Sequence, residues 1–193
     1  MEEIKNFVGV LATALTFIGY VPYIRDTIKG KTKPHIYTWF LWALISFVAF
    51  GLQISHGGGS GSYVTLAAAI VCFIIFVFGL RIGDKDITIS DKVLLLFAIV
   101  SVILWPFANQ PVISVIILAG TDLLSFIPTI RKSWRKPYTE TLSSYAMNTF
   151  RFSLGLFALQ TYTLVTVLYP LTWLFANGLF SIYLLVRRSQ VKR

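Results

Sequence analysis

Seven stretches of the chain are almost continuously apolar, covering 7–24, 36–54, 63–80, 92–107, 112–130, 142–160 and 164–186. They lack the regular polar stripe that a soluble amphipathic helix carries, which predicts lipid as their solvent. A spanning helix needs ~20 mostly apolar residues, and ~17 still suffices. The pattern therefore predicts an all-α membrane protein of seven transmembrane helices. The fourth stretch is the shortest and is closed off by Pro106 and Pro111. The connector from Ser55 to Ser62 is rich in Gly and Ser, which predicts a flexible turn without chemistry. The turn from Gln160 to Thr163 is equally plain.

Composition agrees with this pattern: 56% of the 193 residues are apolar and 13% are charged, against about 25% charged in a typical soluble domain. The net charge of +9 raises the question of nucleic acid, but its distribution answers it. Basic residues cluster after the first span (Arg25, Lys29, Lys31, Lys33), the third (Arg81, Lys85, Lys92), the fifth (Arg131, Lys132, Arg135, Lys136) and the seventh (Arg187, Arg188, Lys192, Arg193). The connectors after the second, fourth and sixth spans hold no Lys or Arg. The positive-inside rule then puts the N-terminus outside and the C-terminus in the cytoplasm, in the cell (plasma) membrane. The charge is a topology signal, and no nucleic-acid partner is needed to explain it. The opening Met1-Glu2-Glu3 is acidic where a cleavable signal would be basic. A lone Cys72 excludes an intrachain disulfide.

The chain also resembles itself. Pro22-Tyr23-Ile24-Arg25 recurs as Pro128-Thr129-Ile130-Arg131, an offset of 106 residues. The same offset carries Lys29 onto Arg135, Thr38 onto Ser144, Trp39 onto Tyr145, Tyr63 onto Tyr169 and Arg81 onto Arg187. Two three-helix units of like orientation need one extra crossing between them, which the fourth span supplies. The predicted organisation is a single membrane domain over 1–193: a first unit at 1–81, a linker helix at 82–107 and a second unit at 108–193. Parallel repeats of this kind hold a solute site between the halves near the midplane, and rocking of one half against the other gives alternating access.

This 3+1+3 pattern, with Pro and a basic loop after the first and fifth spans, resembles the PQ-loop superfamily. That superfamily includes the SWEET sugar transporters, the cystinosin-like amino-acid exporters and the KDEL receptors. The resemblance covers nearly the whole chain. Lys136, Thr139, Glu140, Leu142 and Ser143 look like the family's Lys-Ser-Thr-Glu-Gly-Leu-Ser loop, and Asn177-Gly178-Leu179 is similar to the SWEET Asn-Gly-Leu-Gly segment, whose Asn faces the sugar pocket. The family's Gln after each Pro is here Tyr23 and Thr129, and the third span has no Asn to partner Asn177. The resemblance implies a parallel triple-helix-bundle fold and a sugar or amino-acid-like solute.

Pro22 and Pro128 are candidate hinges, because Pro removes a helix hydrogen bond and bends the chain; each is equally readable as a plain terminator. Asp122 and Arg151 are the only charged residues well inside predicted spans. A charge at helix centre costs roughly 2.5–3.5 kcal/mol on insertion scales. Counted from Arg131 and Glu140, they lie ~13 Å and ~16 Å from one face. Their depths let them meet, either as a structural pair or as a pocket for a polar or zwitterionic solute, with Asp122 available to carry a proton. Asn148 and Asn177 fall in the same layer and face the bundle interior, and Trp42 is the candidate pocket wall. Trp39, shallower by one turn, suits the interfacial belt. His35 and His56 read as solvated side chains with no second metal ligand near them.

The leading function is a facilitator or secondary transporter of a small polar solute. The alternative is a heptahelical ligand-binding receptor of the KDEL-receptor type without transport. An enzyme is not expected. The seventh span has no Lys between Val165 and Val186 for a Schiff base, one Cys gives no dithiol, and no His-Glu-x-x-His motif is present. No cofactor or metal is implied. A monomer suffices, and a homo-oligomer is also compatible.

Overall fold

The structure, a computed structural model, describes residues 1–84 and 110–191 and, between them, 87–89, 92, 93, 95, 96, 99 and 100. Most of the expected fourth span over 92–107 lies outside the described residues, as do Lys85, Pro106, Lys192 and Arg193. The described chain is helical, without a strand: α1 (Glu2–Ile28), α2 (Ile36–Ser55), α3 (Tyr63–Ile82), α4 (Pro111–Ser125), α5 (Ile127–Arg135), α6 (Leu142–Phe157) and α7 (Leu164–Gln190).

Local chemistry explains the limits of several of these helices. Glu2 and Glu3 occupy the first turn of α1 and Arg25 its last, where each complements the helix dipole. Pro111 opens α4, where its missing N–H is not needed. Thr163 caps α7: its hydroxyl accepts from Thr166 N at 3.3 Å while Thr166 Oγ1 accepts from Thr163 N at 3.0 Å.

Among the described residues, five helical stretches are long and apolar enough to cross a membrane: Glu2–Ile28, Ile36–Ser55, Gly59–Ile82, Pro111–Arg135 and Leu164–Gln190. The protein is thus a helical membrane protein. Large apolar side chains such as Phe7, Val10, Phe17, Phe73, Leu179 and Leu185 stand exposed on its outer faces, as a lipid-facing surface requires. The sixth expected span is shorter than anticipated. Its helix α6 has 16 residues, ~24 Å at helical rise, because the chain leaves the helix at Ala158.

Packing follows one rule in both parts of the bundle. α3 packs against both α1 and α2, and α7 packs against both α4 and α6. The two groups meet through α1 on α6 and α2 on α4. Small side chains are buried where α3 packs, notably Ala67, Ala68 and Ala69.

The Gly-rich connector is a built element, not a spacer. Gly59 has φ +61°, a left-handed conformation that favours glycine. A Cβ on Gly61 would stand 2.5 Å from Gly155 O. The connector therefore seats directly on the end of α6.

Candidate functional site

Four helices turn residues spaced three or four apart onto one cavity, the spacing that puts side chains on a single helix face. Trp42 and Ser46 come from α2, Ala68 and Cys72 from α3, Asn148, Arg151 and Phe152 from α6, and Trp173 and Asn177 from α7. Tyr20 of α1 completes the wall. The cavity is so narrow between its rings that as it stands it admits only a water-sized occupant. Trp42, Asn148, Arg151 and Asn177, singled out in the sequence, are thus brought together.

Their polar groups form one network. Arg151 Nε donates to Asn148 Oδ1 at 2.8 Å. Asn148 Nδ2 donates to Tyr20 Oη at 2.9 Å and to Asn177 Oδ1 at 3.2 Å. Asn177 Nδ2 donates back to Trp173 O at 2.7 Å. The terminal nitrogens of Arg151 make only long bonds: 3.3 Å to Thr16 Oγ1, 3.4 Å to Val64 O and 3.5 Å to Tyr20 Oη. The guanidinium also lies over the rings of Phe152 and Tyr20, at 4.2 Å and 5.4 Å from their centroids. Trp42 meets Trp173 edge-to-face at 5.0 Å, and its indole nitrogen is buried without a hydrogen bond.

Asp122 does not meet Arg151, and the ion pair that their depths allow is not formed. Its Oδ2 accepts from Tyr169 Oη at 2.6 Å and from Trp173 Nε1 at 2.7 Å, while Oδ1 has no partner. The packing order is the cause: α7 lies between α4, which carries Asp122, and α6, which carries Arg151. The aspartate reaches the cavity only through Trp173, which both binds it and lines the wall. Ser46 joins Tyr169 at 2.8 Å and links this carboxyl to α2.

Sequence reasoning missed Tyr20, Thr16, Ser46, Tyr169 and Trp173. A signal was present for two of them. Tyr169, Trp173 and Asn177 recur every four residues in a span otherwise mostly apolar, which marks one polar-aromatic face.

Contacts link the two groups of helices on either side of the cavity. At the end bearing the basic clusters, Glu140 is buried and forms an ion pair with Lys132, which also donates to Lys33 O. Tyr145 Oη donates to Glu140 Oε2 at 2.8 Å, and Lys33 N donates to Thr139 O at 3.2 Å. Thr32 and Thr141 hydroxyls meet at 2.6 Å. Beneath them Tyr23, Trp39, Phe126, Tyr145 and Phe180 form a continuous aromatic plug. Trp39 is therefore core, not an interfacial anchor, since Tyr23 and Trp42 hold it from two sides at 4.8 and 5.0 Å. At the other end Gln160 N donates to Gly58 O, Lys5 Nζ to Leu159 O at 2.7 Å and Gln160 Nε2 to Asn6 Oδ1 at 3.0 Å.

The two prolines differ. Pro22 lies inside an unbroken α1. Pro128 follows a break at Phe126 that divides α4 from α5. Phe126 N turns to Leu123 O, and the carbonyls left at Asp122 and Ser125 accept from Ser125 Oγ at 2.6 Å and Thr38 Oγ1 at 2.9 Å. Neighbouring hydroxyls thus satisfy the backbone that the break exposes.

His35 is not solvated: it is buried at the start of α2, with Nδ1 3.3 Å from Thr38 Oγ1. His56 is half-buried, and its Nδ1 lies 2.9 Å from Leu52 O. Compared with protein-family models, curated proteins and solved structures, the chain finds no match, so its own geometry carries the functional reading.

Proposed function

We propose that this chain is a facilitator or secondary transporter of a small polar solute, working by alternating access between two three-helix units. The observation that carries this reading is the narrow cavity between the two groups of helices, lined by Asn148, Arg151 and Asn177, with contacts on either side of it that run from one group to the other. Contacts of that kind can open at one end while the other stays closed, which is what alternating access demands. In the proposed arrangement seven spans form a 3+1+3 pattern resembling the PQ-loop and SWEET-like transporters, in the plasma membrane, with the N-terminus outside and the basic clusters in the cytoplasm.

Two features support the repeat. Each group has its third helix packed against its first and second. α6 begins at Leu142, 106 residues after α2 begins at Ile36, the same offset as between the two prolines. The solute would sit among Trp42, Asn148, Arg151 and Asn177, with Asp122 one residue removed behind Trp173.

Counterflow of a panel of sugars, amino acids and small organic acids in proteoliposomes tests the reading. Saturable exchange that falls in Trp42→Ala and Asn177→Ala, with both variants folded, is the expected result. Binding without flux would replace transport by the receptor reading. Cysteines placed at Gly58 and Thr161 should label from outside and those at Lys31 and Lys136 should not; the reverse would overturn the orientation.

A further inference from the structure

We infer that the cavity binds a small organic monoanion, a carboxylate on a flat apolar body, with Arg151 as its counter-ion. This rests on the transport reading only for the solute's passage, not for its binding. The argument begins with charge. Arg151 is 1% exposed, and among the described residues no carboxylate stands within 4 Å of it. A buried guanidinium is ordinarily paired, because low dielectric penalises a lone charge heavily. The carboxyl that the sequence offers as partner, Asp122, is engaged by Tyr169 and Trp173 instead.

The hydrogen-bond geometry of Arg151 shows which part of it is held and which is open. Nε is firmly seated on Asn148 at 2.8 Å. The two terminal nitrogens, the fork that matches a carboxylate with two parallel bonds, have only contacts of 3.3–3.5 Å, all to neutral oxygens. Asn148 is itself fixed by Tyr20 and Asn177, so the guanidinium is oriented in advance. Among the described residues no acidic side chain lines the cavity, and the rings of Trp42, Trp173 and Phe152 in its wall offer apolar faces to a planar group once they part to widen the present water-sized space. A cationic solute meets an uncompensated positive charge there, and a sugar leaves that charge unpaired.

The test uses the whole protein, purified in detergent, with probes of one shape and different charge: benzoate, benzamide and benzylamine. Binding is read as a rise in melting temperature and as quenching of tryptophan emission. Benzoate should bind at least about tenfold more tightly than benzamide, since bonds to a charged group outweigh neutral ones, and benzylamine should not bind. Arg151→Gln should bring the benzoate-to-benzamide ratio close to one. Arg151→Lys should fall between, keeping the charge and losing the fork.

Should Arg151→Gln fail to fold, Cys72→Asp decides the matter. It places a counter-ion on the cavity wall at similar volume and should abolish benzoate binding in a folded protein. Equal affinity for benzoate and benzamide in the parent protein, or undiminished benzoate binding in Cys72→Asp, overturns the inference. Benzoate binding without counterflow would leave the anion site standing and remove the transport reading. Carriage of neutral solutes with no benzoate binding would do the reverse.

Discussion

At the 106-residue offset, Thr16 in the first group of helices answers to Asp122 in the second, Trp42 to Asn148 and Ile45 to Arg151. Among the described residues that line the cavity, the charged and amide side chains Asn148, Arg151 and Asn177 all belong to the second group, while the first supplies a hydroxyl, aromatic rings and small residues. At the basic end the buried pair Lys132–Glu140 likewise lies wholly in the second group, and Lys33 offers that pair its backbone carbonyl. The helix backbone differs as well, unbroken at Pro22 and divided ahead of Pro128. Like packing order with unlike chemistry shows that helix packing leaves the site free to vary. Packing needs small residues and apolar faces, which many sequences supply, whereas a binding site needs particular groups on one side only.

The largest effect should come from breaking the buried pair of the second group. Lys132→Met leaves Glu140 buried without its cation and should cost about 3–5 kcal/mol, seen as a fall in unfolding free energy in detergent micelles. Adding Glu140→Gln should restore most of it. A near-zero effect of Lys132→Met would mean that the lock is ornamental and that the two groups are equally neutral in energetic terms.

Next comes the carboxyl of α4. Asp122→Ala strands the donors of Tyr169 and Trp173 and should cost about 2–3 kcal/mol. Asp122→Asn keeps an acceptor for both, because Oδ1 has no partner to lose, and should cost about 1 kcal/mol or less. Equal losses in the two variants would remove the hydrogen-bond account.

The separation of Asp122 from Arg151 is testable by a double-variant cycle. Losses for Asp122→Asn and Arg151→Gln should add to within about 0.5 kcal/mol, as for residues that share no contact. Recovery of stability in the double variant would restore the ion pair that the packing excludes.

The smallest effect concerns the prolines. Pro128→Ala should slow solute exchange roughly severalfold with little change in affinity, since it removes the cause of a break already present. Pro22→Ala, in an unbroken helix, should do less. Equal slowing by both would erase the backbone difference between the groups.

Much of the frame was legible along the chain, because what sets it is local. An apolar run of spanning length needs no partner to be recognised, and neither does a Pro beside a basic cluster. The expectation that Trp42, Asn148, Arg151 and Asn177 share a layer came from counting residues along helices, and rise per residue depends on no neighbour. Depth is one coordinate, however, and partnership needs two more. Asp122 and Arg151 have similar depths, but α7 stands between their helices, and no count along the sequence reveals which helix intervenes. For the same reason nothing along the chain marks Tyr20 as the phenol that receives Asn148, Trp39 as core or His35 as buried. The sequence alone determined that the chain is helical, apolar enough for a bilayer and basic at one end of its spans. The tertiary structure alone decided which polar groups satisfy one another, because a hydrogen bond forms between neighbours in space whose distance along the chain, 128 residues for Tyr20 and Asn148, carries no trace of the contact.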